Sequence, residues 1–409
     1  EIPTETRLEY VRAHLRTNLR RPLEVSYVIL HWLAGERKLL WVLPVFAAST
    51  FLTILVYLSI RALVGDPALS WICSAFFVLL PNKDQLYYHL AYTHIGAVYS
   101  FTVGSLGLFL LYLRNPRPAT LWASIACYTV TLFWYEAGFF LPAVLLTAAL
   151  LYDRRRILPC FLFLIPIGVY GIWRSGILMG QGFDYPIAAT NLWSNLLAGG
   201  PSLYLGRQMG KWILYGLARF PTMEAPWRIF ALAADALLLF GFARWLRRRT
   251  LPPVPRKAIL VLTSMALFFI IPPALGQGIL SRHTVLSSLG FSVLAIAASR
   301  FLLGGGPLLG RFLTLLFGGG LVVNQGIAWN QVVSCRMNNA VLEALQERRE
   351  ALLKADRVLI DQHSFAQRIP YTWVKNPRNQ VDDYWGVDGL AGENFRAAVH
   401  WASGRSIPL

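Results

Sequence analysis

Acidic side chains are scarce in this chain: 21 Asp plus Glu stand against 38 Lys plus Arg in 409 residues, a formal net charge of +17. Charged residues of either sign make up only 14% of it, against 56% apolar. Cysteine is scarcer still. Cys73, Cys127, Cys160 and Cys335 are scattered, the first three inside apolar runs, a spacing that offers neither a disulfide framework nor a set of metal ligands. No repeat of roughly 20 to 50 residues appears, and no inverted pair of broken apolar helices of the transporter kind. The opening residues carry neither an initiator Met nor a basic-then-apolar leader pattern. A first membrane helix is expected upstream of this numbering.

What the chain has in abundance is long apolar runs, so the bilayer is the solvent to reason with. Ten crossings are read: Leu39 to Val64, Leu69 to Leu80, Ile95 to Leu113, Leu121 to Tyr135, Ala137 to Tyr152, Ile157 to Trp173, Trp227 to Trp245, Ala258 to Leu275, Thr284 to Ser299 and Phe312 to Ala328. The second, fourth and fifth are short for a hydrocarbon layer of about 30 Å, which predicts tilted, broken or partly inserted helices. The fold class is thus mainly α, a polytopic transmembrane bundle.

Excess positive charge would raise nucleic acid as a partner for a soluble protein, but here it follows the membrane pattern. Residues 39–330 hold 21 Lys plus Arg against seven acids, whereas 331–409 hold ten against nine. Alternate short loops collect Arg114, Arg117, Arg154, Arg155, Arg156, Arg244, Arg247, Arg248, Arg249, Arg256, Lys257, Arg300 and Arg311; the opposite loops carry mainly Lys83, Arg174 and Arg282. The positive-inside rule makes the first set cytoplasmic and places 1–38, 82–94, 174–226, 276–283 and 329–409 outside. The bilayer is a partner on this reading and nucleic acid is not.

Residues 1–38 read as outer amphipathic helices, with Leu8, Val11, Leu15 and Leu19 at spacings of three and four between arginines; a solvated helix is the alternative. The segment 174–226 is the longest connection within the membrane domain 39–330 and is rich in Gly and aromatic residues. Residues 331–409 read as a small outer α/β cap, helical over about 332–354 with a candidate strand at 357–361.

An ionisable group inside the membrane is costly, by at least about 2.5 kcal/mol at mid-helix, so each one is a functional hypothesis. Glu136 and Asp235 qualify. Glu136 stands where two short apolar runs meet, with Gly138 and Pro142 following, as expected of a helix break facing a polar cavity. It suits either a structural ion pair or cap or a direct role in chemistry. The stretch Pro81 to His94 gathers Lys83, Asp84, Tyr87, Tyr88, His89, Tyr92 and His94, an aromatic and polar set fit for a sugar or headgroup, or an interfacial aromatic belt. As metal ligands His89 and His94 are poorly placed, because an i,i+5 spacing separates them by about 140° around a helix. Arg282, in Ser281-Arg282-His283-Thr284, is a strong outer cation between apolar helices, able to clamp a phosphate through two parallel hydrogen bonds or to snorkel to headgroups.

The ordered set Arg21-Pro22-Leu23, the first span with its basic end, Leu80-Pro81 before a polar loop, the Glu136 block, Arg282-His283-Thr284-Val285-Leu286-Ser287-Ser288-Leu289-Gly290-Phe291 and Asn324-Gln325-Gly326-Ile327-Ala328-Trp329-Asn330 resembles GT-C superfamily glycosyltransferases. It is most similar to bacterial relatives of the transmembrane-and-TPR O-mannosyltransferases, over roughly residues 15–335. The resemblance implies a polyprenyl-phosphate-linked sugar as donor, a protein or glycan acceptor arriving from the periplasmic side of a bacterial inner membrane, and a catalytic carboxylate that should precede Glu1. It gives Arg282 and His283 to the donor phosphate, Glu136 and Asp84 to supporting roles, and Arg21, Lys83, Tyr88, His89, Tyr92 and His94 to the cavity. No cofactor is implied, although a divalent cation is compatible with such chemistry. The tail departs from that family, since no TPR period follows Ala340. Rival readings are an O-antigen-type polymerase or ligase, a lipid or solute transporter, and a subunit of an envelope complex.

Overall fold

The structure, a computed structural model, describes residues 38–81, 93–135, 138–178, 213–269 and 285–354, with positions 23, 26, 29 and 210 besides. Among these residues the regular structure is helical and no strand occurs. The helices are α1 (Lys38–Val64), α2 (Pro67–Leu79), α3 (Thr93–Arg114), α4 (Pro118–Trp134), α5 (Leu141–Tyr152), α6 (Ile157–Phe161), α7 (Leu164–Leu178), α8 (Ala225–Arg247), α9 (Arg256–Phe268), α10 (Val285–Leu303), α11 (Pro307–Glu347) and α12 (Arg349–Lys354). Six segments among the described residues are long and apolar enough to cross a membrane: Val42–Val64, Ile95–Arg114, Arg154–Ser175, Ala225–Arg247, Val285–Leu303 and Pro307–Asn330. The chain is a multi-pass helical protein by this measure, with α2 and α5 as shorter apolar helices.

Local chemistry explains where these helices begin and break. Proline opens α2, α4 and α11 and follows Leu141 in α5, where the missing N–H is not needed. Asp66 caps α2 by accepting the Leu69 N–H at 2.7 Å, and Gly65 takes the positive φ of the turn before it. The sixth apolar run is one segment in sequence but two helices, α6 and α7. Pro166 cannot donate to the Leu162 carbonyl, and the chain passes the break through i→i−3 bonds from Leu162 to Pro159, Phe163 to Cys160 and Ile165 to Leu162. The helical part expected at 332–354 appears as the continuation of α11 followed by α12. The candidate strand at 357–361 and the amphipathic segment 1–37 lie outside the described residues, apart from positions 23, 26 and 29.

The chain divides into two units, 1–206 with 233–321 and 207–232 with 322–409, the boundaries running through α8 and α11. In the first unit α3 is the most enclosed span: 72% of its apolar window is buried, against 28% for α1. Small and hydroxylated residues make that enclosure close. Ser105 donates to the Ser124 carbonyl at 2.8 Å and Ser124 to the Ser105 carbonyl at 2.7 Å, across α3 and α4. Ser59 of α1 donates to the Val103 carbonyl at 3.2 Å, beside Gly107. Gly290 of α10 admits the Leu262 carbonyl and Ala266 of α9. Such contacts substitute for the hydrophobic drive that helices lose once both are in lipid. Outward, α7, α8 and α11 expose Ile172, Leu237 and Leu315 by 73% or more, surface that only hydrocarbon would cover without cost.

The second unit has its own close crossing. Gly216, in the helical residues 213–219, and Gly326 of α11 meet backbone to backbone, with the Val323 carbonyl against Gly216. Below the crossing Met223, Ala231 and Trp329 form a small apolar cluster with Phe220, and Arg336 lies over the Trp329 ring at 5.4 Å while pairing with Glu224.

Overpacking should reveal these contacts. Gly290→Ala places a methyl against the Leu262 carbonyl and is expected to destabilise the protein by about 1–3 kcal/mol. Gly241→Ala, which meets nothing within 4 Å, is the control. Thermal unfolding in detergent should separate the two; equal midpoints would show that α9 and α10 are not in this contact.

Candidate functional site

Side-chain pairs along the helices of the first unit fix which termini share an end. Between α5 and α9, Phe140 stacks on Phe268 at one extreme and Tyr152 meets Lys257 at the other, so these two run antiparallel. Between α4 and α7, Tyr128 meets Phe163 and Phe133 meets Tyr170, so those run parallel. One end of the unit therefore gathers the end of α4, the start of α5 and the end of α9, with the starts of α3 and α10.

The segments carrying the sequence-predicted residues leave from this end. Lys83, Asp84, Tyr88, His89 and Tyr92 lie between α2 and α3, Glu136 between α4 and α5, and Arg282 and His283 just before α10; all of these, with Arg21, fall outside the described residues. His94 belongs to the first turn of α3. Asp235 is described: it is buried, at 7% exposure, in α8. Leu239, Phe242 and Leu246, successive on one face of α8, pack on Gly318, Phe317 and Gly310 of α11, and Asp235 precedes them on that face.

What the structure describes in most detail is the seat of Gly138, in the turn before α5. The helical pattern ends at Trp134, and Gly138 rests between two threonines: a Cβ there would stand 2.5 Å from Thr131 Cγ2 and 3.4 Å from Thr102 Oγ1. The two hydroxyls are 3.3 Å apart. Tyr128, fully buried, donates to the Phe139 carbonyl at 3.1 Å and satisfies a backbone group that the helix break has freed. Trp134 packs on Phe101 at 6.1 Å. None of Thr102, Tyr128 or Thr131 stood out in the sequence, where they are single hydroxyls in apolar runs. The available signal was that Tyr128 and Thr131 fall within eight residues before Glu136.

The depth of the turn follows from its neighbours. Gly138 is level with Thr102, which is nine residues into α3, so the turn sits about 13 Å along the helix axis from the start of α3. Irregular backbone at such depth is tolerated only when buried in protein or facing a water-filled cavity. A cation is held on the same side: Arg174 of α7 donates to the Tyr170 hydroxyl at 3.0 Å and lies over that ring at 6.0 Å, and Tyr170 packs edge-on against Phe133, three residues before Glu136. The sequence reading counted Arg174 as an outer-loop charge and gave it no role.

Comparison with protein-family models, with curated proteins and with solved structures finds no match to this chain. The site must be argued from its own residues.

Two substitutions test the seat. Tyr128→Phe leaves the Phe139 carbonyl without its donor and should cost about 0.5–1.5 kcal/mol. Gly138→Ala must displace the Thr131 methyl and should cost about 1–3 kcal/mol. Denaturation in detergent measures both; a Gly138→Ala protein as stable as wild type would place the turn elsewhere.

Proposed function

We propose that the chain is a membrane glycosyltransferase of GT-C type, moving a sugar from a polyprenyl-phosphate donor to a protein or glycan acceptor. The observation that supports the reading is the break between α4 and α5, whose Gly138 is seated on the Thr102 and Thr131 hydroxyls about 13 Å along α3, at the end from which the Lys83 to His94 and Arg282 segments also leave. On this reading the chain crosses a bacterial inner membrane ten times, the cationic end is cytoplasmic, and the recess opens to the periplasm. The C-terminal residues after 331 then form an outer cap.

Transfer breaks the bond between the anomeric carbon and the donor phosphate oxygen and forms one to the acceptor oxygen. A carboxylate takes the acceptor proton, and the lipid phosphate leaves with the bonding pair. The departing dianion needs a fixed cation. Arg282 supplies it, with His283 beside it, and Arg174 is a second guanidinium on that side. Glu136 and Asp84 orient groups within the cavity, and Arg21, Lys83, Tyr88, His89, Tyr92 and His94 line its sugar end. A transporter reading would need a route through the unit, and polymerase or ligase chemistry would need a lipid diphosphate.

Donor titration in nanodiscs tests this, with binding and transfer measured separately. A hydrogen bond to a charged group is worth about 1.5–3 kcal/mol, so Arg282→Ala should weaken donor use by about 10- to 150-fold. Arg282→Lys should rescue little, because an ammonium lacks the planar fork. Glu136→Gln should slow transfer without preventing insertion. Wild-type kinetics for all three would refute the reading. Topology is a separate prediction: cysteines placed at Ser194 and Ser364 should react with an impermeant thiol reagent from outside, and reaction only after the membrane is breached would invert the assignment.

A further inference from the structure

At the end of the first unit opposite the Glu136 turn, four helix termini meet. The Tyr152 hydroxyl, ending α5, donates to the Leu63 carbonyl near the end of α1 at 3.0 Å. Lys257, in the first turn of α9, sets its Nζ 5.6 Å from the Tyr152 ring centroid. Arg156, in the turn after α5, sets its guanidinium carbon 5.5 Å from the ring of Tyr112, near the end of α3. Two cations are thus oriented on aromatic faces, Arg156 also pairing with Asp153 at 3.3 Å.

Charge at this end is unbalanced. Arg114, Arg154, Arg155 and Arg256 are exposed around the seated pair. The acids in the connections here are Asp66 and Asp153, and both are engaged locally. Asp66 caps α2, and Asp153 accepts the Arg155 N–H at 3.1 Å and Arg156 Nε at 3.3 Å. Apolar side chains flank the cations: Leu111, Leu150, Leu158 and Leu260 are all exposed by 44% or more. A ligand for this end carries fixed negative charge and long apolar chains together.

We infer that the Arg156–Lys257 end of the bundle binds an anionic phospholipid, its phosphate at the two seated cations and its acyl chains along the exposed leucines. Basic clusters between helix ends, at headgroup level, are suited to such headgroups. A soluble phosphate would use the same cations but leave the leucines uncovered. The inference is independent of the transfer reading and holds whether or not the chain catalyses anything.

The test uses the full chain purified in a mild detergent, titrated with cardiolipin and separately with phosphatidylcholine, bound lipid being counted by native mass spectrometry. Wild type should retain cardiolipin in preference. The Arg156→Gln/Lys257→Gln double variant should bind cardiolipin about 30-fold more weakly, with phosphatidylcholine unchanged. Inorganic pyrophosphate should not displace the lipid. Salt provides a second measurement on wild type alone: at about 1 M, where the Debye length falls to about 3 Å, cardiolipin should be released more than phosphatidylcholine. Equal affinity for the two lipids, an unaffected double variant, displacement by pyrophosphate, or salt-independent retention would each overturn the inference.

Discussion

A hydroxyl inside a hydrocarbon layer has no water to bond, and the reciprocal Ser105–Ser124 pair is where this constraint shapes the first unit most directly. Each serine bonds the other helix's carbonyl, which demands that α3 and α4 approach closely. Such bonds average only about 0.6 kcal/mol in membrane proteins, so their consequence is geometric more than energetic. Once α3 and α4 are locked at Ser105 and Ser124, Thr102, about one turn along α3, and Thr131, about two turns along α4, are brought face to face, and those threonines hold Gly138. The seat of the turn is an extension of the helix contact.

Much of the helical layout was legible in the sequence because lipid removes ambiguity. A long apolar run must satisfy its own backbone, so most of each run found in the sequence falls on helix where it is described, the exceptions being run ends, residues 138–140 and the break at Leu162–Phe163. An interruption between Trp134 and Leu141 was legible for the same reason in reverse, since an acid followed by Gly138 and Pro142 has no place in a continuous span; Glu136 itself lies outside the described residues. What could not be read was partnership. Thr102 and Thr131 are 29 residues apart, and nothing local says that one glycine will sit between them. The split of the sixth run at Leu162 was available from Pro159 and Pro166 but is weaker than hydropathy, which reads straight across it.

The two ends of the first unit differ in chemistry as well as charge. At one, cations rest on tyrosines: Arg156 on Tyr112 and Lys257 on Tyr152. At the other, Arg174 uses the same device with Tyr170, yet there the ring leans on Phe133 and so on the approach to Glu136. A tyrosine carries both an apolar body and a polar tip, so it can fix a basic group at the boundary between hydrocarbon and water. The same pairing anchors the bundle at one end and brings a guanidinium near the end of α4 at the other.

Between these ends the first unit is packed with aromatic rings. Beneath Gly138 the space is filled by Tyr128, Phe109 and Phe163, all fully buried and in ring contact with one another through Phe163. Tyr112, beyond them, meets Phe109 and leads to Arg156. Transport would require this aromatic column to part, because a route from the turn to the cationic end runs through it. These rings are fully buried, and interiors packed at this density change by discrete rearrangement, not by gradual opening.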